Sequence, residues 1–324
     1  MIMESINDHR TTANTRKVFI GFIYLFIGSI MLFYGADFIV KGGSQLASRF
    51  GLSPMVIGLT VVAFGTSLPE LVVSIAAAVE GSSPIAIGNV VGSNIANVGL
   101  VLGLSSLIFP IKINLIQIKR DLLIYIFVCL IFSLFCMNGS ITREEGLVLF
   151  ISVILYTWYS FYNPSISDNE DLIDKNHSNV WTLCFFIVSG IALLSFGANL
   201  FIKGAIDIAR YLGISEIVIG MSIVALGTSL PELATSVIAS FRKEHAISIG
   251  NIIGSNLFNL LSVIGIVSLL SPIESPKEIL SFEIPYMILY GLILFPIAWM
   301  KQPIHRFTSI SLLLGYVIFI YQLF

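Results

Sequence analysis

Two glutamates stand inside apolar stretches of this 324-residue chain, each in the same seven-residue setting. Gly65-Thr66-Ser67-Leu68-Pro69-Glu70-Leu71 recurs letter for letter as Gly227-Thr228-Ser229-Leu230-Pro231-Glu232-Leu233, 162 positions later. Thr66 and Glu70 are four residues apart and Ser67 and Glu70 three, so in a helix both hydroxyls share a face with the carboxylate. Thr228, Ser229 and Glu232 repeat the set. Proline lacks an N–H and its ring crowds the carbonyl four residues back. Pro69 is therefore expected to free the carbonyl of Gly65, and Pro231 that of Gly227. The face offers carboxylate, hydroxyl and carbonyl oxygens only. Hard cations such as Na⁺ and Ca²⁺ take such ligands, whereas zinc or copper usually recruits His or Cys.

A second polar set follows each glutamate. Asn89, Ser93 and Asn97 are four apart and line one side of a helix, and Asn251, Ser255 and Asn259 repeat them. Gly88 with Gly92, and Gly250 with Gly254, are small-xxx-small pairs that let membrane helices approach closely. One stripe of amides reads as interhelical glue; two matching stripes beside two matching carboxylates read as ion binding. The glutamates have an inert reading as well, protonated and merely hydrogen-bonded. An ionisable group is costly inside a membrane, however, so a functional role is the default. With both ionised the site carries two negative charges, which one Ca²⁺, two Na⁺ or two protons neutralise. Competition for the same carboxylates makes an exchanger rather than a uniporter.

The elements that must hold these groups are membrane spans. Apolar residues make up 56% of the chain and charged residues 11%, with a mean hydropathy of +0.95. Soluble globular chains are about a quarter charged, so the composition specifies an all-α polytopic membrane protein. The net charge of −2 says nothing about nucleic acid, but no Lys/Arg run of the length such binding needs is present, so no nucleic-acid partner is expected. Cys129, Cys136 and Cys184 lie scattered in apolar stretches and read as small core residues, not as a metal cluster or disulfide framework. His9, His177, His245 and His305 fall in tails or loops. No cofactor and no obligate protein partner is implied, only the lipid bilayer and the transported ions.

Windows long enough to cross about 30 Å of hydrocarbon fall near 18–40, 54–79, 84–109, 121–138, 145–162, 180–202, 215–240, 246–271, 280–300 and 307–324. Ten transmembrane helices are expected, after a polar N-terminal tail at 1–17. The apolar run after the tail is longer than a signal-peptide core and has no Ala-x-Ala-like site behind it, so cleavage is not expected. A polar linker at 164–179 divides a first five-helix repeat, 18–163, from a second, 180–324. Asp168, Glu170, Asp171 and Asp174 give the linker an acidic cast, but no Gly and closing Glu complete an EF-hand loop. The halves align without a gap: Gly35 meets Gly197, Lys41 meets Lys203, Asn89 meets Asn251 and Asn97 meets Asn259. Lys41 and Lys203 fall at span ends, where they snorkel to the interface. Asp37 and Asp207 meet Asn199 and Gln45 and stay outside the site.

Five spans per half is an odd number, so the second half enters the membrane upside down. Inverted repeats are a transporter signature, with the site at the midplane between them. If the N-terminus is outside, inside loops hold Lys41, Arg49, Lys112, Lys119, Arg120, Lys175, Arg242, Lys243, Lys301 and Arg306. Outside loops then hold only Arg143, Lys203, Arg210 and Lys277, while Arg10, Arg16 and Lys17 in the tail count the other way.

The paired Gly-Thr-Ser-Leu-Pro-Glu segments, each followed by Gly-Asn and Gly-Ser-Asn elements, resemble the alpha repeats of the sodium/calcium exchanger branch of the calcium/cation antiporter superfamily. The chain is most similar to the short prokaryotic members, over nearly its whole length. The resemblance implies an alternating carrier with four adjacent cation sites between the repeats. By position, it makes Glu70 and Glu232 the shared carboxylates of the calcium site, with Thr66 and Thr228 beside them. It makes Ala63 and Ala225 (through their carbonyls), Ser67, Ser229, Ser93 and Ser255 sodium ligands, with Asn97 and Asn259 near the middle site. It also puts both termini outside the cell membrane and the linker in the cytoplasm. Several prokaryotic members, and the potassium-dependent ones, carry Asp where Asn259 stands; Asn removes a possible charge and argues against potassium dependence and against proton coupling there.

The sequence therefore predicts a secondary antiporter exchanging Ca²⁺ for Na⁺. The nearest alternative is a Ca²⁺/H⁺, or other divalent cation/H⁺, antiporter on the same fold. An ion channel gives no reason for inverted halves, and an intramembrane hydrolase lacks a buried His beside any Ser and an H-E-x-x-H motif.

Overall fold

The computed structural model describes residues 2–163, 179–214, 219, 225–300 and 302–323, with side chains from Val18 onward except Ser83 and Ala225. The expected linker up to residue 178, with its four acidic residues, and most of the opening of the seventh expected span lie outside the described residues.

Twelve helical stretches follow one another. They are α1 (Ile2–Phe50), α2 (Pro54–Thr66), α3 (Leu68–Val79), α4 (Pro84–Ile108), α5 (Leu115–Met137) and α6 (Arg143–Tyr162), then α7 (Val180–Tyr211), α8 (Ala225–Gly227), α9 (Leu230–Phe241), α10 (His245–Leu270), α11 (Lys277–Trp299) and α12 (Arg306–Gln322). Among the described residues seven helices are long and apolar enough to span a bilayer, and the bent pair α2–α3 raises the number to eight. Large apolar side chains such as Phe26, Phe127, Leu134, Phe185 and Val188 point outward. Water would not tolerate so wide an apolar surface, whereas lipid solvates it. The chain is a multi-pass membrane protein.

Local signals set where helices begin and break. α6 opens on a capping box: Thr142 Oγ1 accepts from Glu145 N at 3.3 Å, and Glu145 Oε2 accepts from Thr142 N at 2.8 Å. Between α2 and α3 the axis turns by 41° at Ser67. Pro69 directly follows this break. It sits in the first turn of α3, where its missing N–H would be unpaired in any case. Pro231 holds the same place in α9. Single π-helical turns interrupt α2 at Gly58–Val62, α4 at Asn97–Leu102 and α10 at Asn259–Val263.

α1 and α7 run well past the expected limits of 40 and 202. Their last turns are polar on one side (Lys41, Gln45 and Arg49 in α1), so hydropathy fades before the helix does. Gly21, Gly28 and Gly35 of α1 meet Gly204, Gly197 and Gly190 of α7, which fixes the two as antiparallel. The approach leaves no room for side chains: a Cβ at Gly28 would stand 2.7 Å from the Phe201 nitrogen and 2.8 Å from the Gly197 oxygen.

Contacts between the halves come in matching pairs. Gly146 of α6 lies against Gly265 and Ser268 of α10, and Gly103 of α4 against Ser309 and Leu313 of α12. Ser106 and Ser309 hydroxyls are 2.7 Å apart. α5 packs on α11, the Tyr125 ring filling the space over Gly291. Loops pair too: β1 (Ser140–Ile141) is antiparallel to β2 (Ile273–Glu274), and Lys112 bridges Pro303. The core surrounds α4 and α10, whose residues Val90, Ile95, Val101, Ile253, Leu260 and Ile264 are almost wholly enclosed. Cys129 and Cys136 are core residues as expected; Cys184 instead faces outward, on the lipid side of α7.

Candidate cation site

Glu70 and Glu232 lie in the first turns of α3 and α9, each with no exposed surface. A first-turn position places each carboxylate at the positive dipole end of its helix, a setting that favours negative charge. The two glutamates are close enough to act on one another electrostatically. Ser93 and Thr228 face Glu70, while Thr66, Ser255 and Ser67 face Glu232. Each carboxylate therefore meets hydroxyls from both halves. None of these reaches hydrogen-bonding geometry: both oxygens of both glutamates, and the hydroxyls of Ser67, Thr228 and Ser229, are buried without a partner among the described residues. Unpaired buried acceptors cost on the order of 1–3 kcal/mol each, more when charged, so this cluster is a destabilised pocket that a cation would relieve.

The expected stripes divide by role. Asn89 and Asn251 clamp the broken helices through their amide nitrogens. Asn89 Nδ2 donates to the Glu70 carbonyl at 3.3 Å and to Ser74 Oγ at 3.0 Å. Asn251 Nδ2 makes the equivalent bonds to the Glu232 carbonyl, 3.4 Å, and Ser236 Oγ, 3.2 Å. Thr66 Oγ1 crosses between halves, donating to Asn251 Oδ1 at 3.0 Å and lying 3.2 Å from Ser255 Oγ. The Ala63 carbonyl, in the last turn before the break, accepts from Ser67 N at 3.0 Å and from Thr66 Oγ1 at 3.3 Å. Ala225 opens the short turn α8 ahead of the matching break.

Deeper in the core, Asn97 and Asn259 open the π turns of α4 and α10 and are fully buried. Asn97 Nδ2 donates to Asn256 Oδ1 at 3.0 Å, and Asn259 Nδ2 to Asn94 Oδ1 at 3.1 Å. Asn94 and Asn256 were not among the expected site residues. A stripe counted in fours from Asn89 steps over them, although both stand in the repeated Gly-Ser-Asn element. Asp37, left outside the site by the repeat, pairs with Arg242 and ties α1 to the end of α9. Lys41 Nζ lies 5.6 Å from the centre of the Phe186 ring.

Among the described residues no three His, Cys, Asp or Glu side chains converge. The pocket is two carboxylates in a shell of hydroxyl, amide and backbone oxygens, the chemistry of hard and not of thiophilic metals.

Comparison with known proteins agrees with this geometry. The profile described as sodium/calcium exchanger protein matches residues 20–162 and again 182–324. The sodium/calcium exchanger MaX1 of Methanosarcina acetivorans is 34% identical over 351 aligned positions, covering 95% of this chain and 99% of its own. The inner membrane protein YrbG of Escherichia coli is 31% identical, covering 89% of this chain and 92% of its own. A solved structure of the sodium-calcium exchanger NCX_Mj, soaked with zero Na⁺ and Ca²⁺, superposes with a TM-score of 0.82 at 34% identity, covering 95% of this chain and 100% of that one. With the motif pair, the buried glutamates and two profile matches that together span nearly the whole sequence, the chain belongs to the sodium/calcium exchanger family.

Proposed function

We propose that this protein is a secondary active antiporter that exchanges Ca²⁺ for Na⁺ across a prokaryotic cell membrane by alternating access. One observation carries the reading: two fully buried carboxylates from the two halves, Glu70 and Glu232, face each other's hydroxyls with no protein cation beside them among the described residues. One Ca²⁺ neutralises the pair, and Na⁺ ions compete for the same oxygens. Glu70, Glu232, Thr66 and Thr228 form the calcium site. Ser67, Ser229, Ser93 and Ser255, with the carbonyls of Ala63 and Ala225, serve sodium; Asn97 and Asn259 line the middle. The names of MaX1 and NCX_Mj as sodium/calcium exchangers support the same pair of ions.

The architecture we infer is ten spans in two inverted five-helix repeats, 18–163 and 180–324, after a tail at 1–17 and joined by a cytoplasmic linker at 164–179. The shorter apolar helices α9 and α12 supply the two spans beyond the eight. Antiparallel α1 and α7, and contacts that recur between equivalent helices, support halves entering from opposite sides. Both termini then lie outside.

Purified protein in liposomes tests the function. A sodium gradient directed outward should drive radiolabelled calcium in, with no effect of a pH gradient. Uptake driven by a pH gradient in sodium-free medium would make it a Ca²⁺/H⁺ antiporter instead, and calcium flux with no counter-ion dependence would make it a channel.

A further inference from the structure

Asn97 and Asn259 keep their side-chain oxygens, not their nitrogens, free. Both Oδ1 atoms are buried and unpartnered among the described residues, while both Nδ2 atoms are spent on hydrogen bonds. Those bonds cross the molecule. The nitrogen of Asn259 in the second half is held by Asn94 Oδ1 of the first, and the nitrogen of Asn97 by Asn256 Oδ1 of the second. Asn94 is itself fixed, since its Nδ2 donates to the Asn256 carbonyl at 3.1 Å and lies 3.6 Å from Met287 Sδ. All four amides are without exposed surface or nearly so, and the π turns begin at the two whose oxygens are free. π bulges inside α-helices concentrate at functional positions.

An amide can turn about its last bond and exchange oxygen for nitrogen. A middle site made of Asn97 and Asn259 serves a cation only if both oxygens face it. We infer that Asn94 and Asn256 are positioning residues. Each accepts the N–H of the opposite half's middle asparagine, locks that amide with its oxygen inward, and so makes the centre an uncharged oxygen pair. Because the lock runs between halves, each half sets the ligand of the other. This rests on the reading of the pocket as a cation site.

The experiment compares the sodium dependence of calcium uptake into liposomes for wild type, Asn94→Ala, Asn94→Asp, Asn259→Ala and the double variant Asn94→Ala/Asn259→Ala. Asn94→Ala frees the Asn259 amide. Loss of an outer partner typically weakens a metal site tenfold to a hundredfold, so the sodium needed for half-maximal uptake should rise by about that factor while the maximal rate changes much less. With Asn259 already replaced, removing Asn94 should shift half-saturation by less than about twofold, because coupled residues are not additive. Asn94→Asp restores wild-type behaviour, since a buried carboxyl takes its neutral form and then accepts and donates as the amide did. Should Asn94→Ala fail to fold, Asn256→Ala with Asn97→Ala reads the same lock from the other side. Additive effects, or an Asn94→Asp protein as impaired as Asn94→Ala, would overturn the inference while wild-type exchange still stands. Absence of sodium-driven uptake by the wild type would remove the site itself.

Discussion

Replacing Glu70 or Glu232 with Gln separates transport from folding. The side chain keeps its shape and loses one charge. Neither carboxylate makes a hydrogen bond among the described residues, so the amide breaks nothing, and it relieves the repulsion between two facing acids. For the ion the change is large. Unit charges 4 Å apart at an effective dielectric of about 20 interact by about 4 kcal/mol, and a divalent ion feels twice that. Taking only the single-charge figure as the net loss, calcium affinity falls about a thousandfold, at 1.4 kcal/mol for each factor of ten. Ligand binding at a hundred times Kd stabilises a fold by about 2.7 kcal/mol; at the same calcium concentration the weakened variant gains less than about 0.1 kcal/mol. Thermal melts in detergent with and without Ca²⁺ read this directly. The ion-free melting temperature of either variant should equal or exceed that of wild type, the calcium-induced rise should vanish, and sodium-driven flux should be lost. A variant that keeps the calcium-induced rise, or retains flux, would refute the reasoning.

Other perturbations bear on separate parts of the account. Calcium uptake into sodium-loaded vesicles should proceed without external K⁺, because Asn259 brings no charge to the middle of the site; a clear K⁺ requirement would contradict this. Gly197→Leu must push α1 and α7 apart, since even a Cβ there would stand 2.8 Å from Met31 Cβ and 3.1 Å from the Gly28 oxygen. Overpacking of this kind costs about 1–3 kcal/mol, so the melting temperature should fall clearly, while the same change at lipid-facing Phe196 should leave it near wild type. Asn251→Ala strips the clamp from Glu232 and Ser236 and the acceptor from Thr66. Buried groups left unpaired cost about 1–3 kcal/mol each, and the measure is again the melt, with weaker calcium-induced stabilisation if the clamp also holds the glutamate in place.

The repeated heptapeptide made the centre of the molecule legible before any fold was known. A proline, a glutamate and two hydroxyls in lipid have few uses, and their recurrence named both sides of the pocket at once. What the spacing could not resolve was backbone detail. Proline signals a break in the span, but not that the helix ends at Ser67 and restarts with Pro69 in its first turn, where proline is best tolerated. The stripe of Asn89, Ser93 and Asn97 assumed unbroken α-helical turns and a common role. Asn89 instead clamps a backbone, and the asparagines that hold Asn97 and Asn259 lie one step off that count. The glycine heptads of α1 and α7 were visible as letters, but α1 and α7 were read by hydropathy, which weighs a glycine little and cannot show that its missing side chain lets two backbones touch.

Equilibrium binding of radiolabelled calcium to the purified protein, as sodium is raised at constant ionic strength, tests the central claim most directly. If Glu70 and Glu232 are shared ligands, sodium displaces calcium, and the apparent calcium Kd climbs more steeply than the first power of sodium concentration, because more than one Na⁺ replaces each Ca²⁺. Calcium binding that is indifferent to sodium would contradict a common site for the two ions.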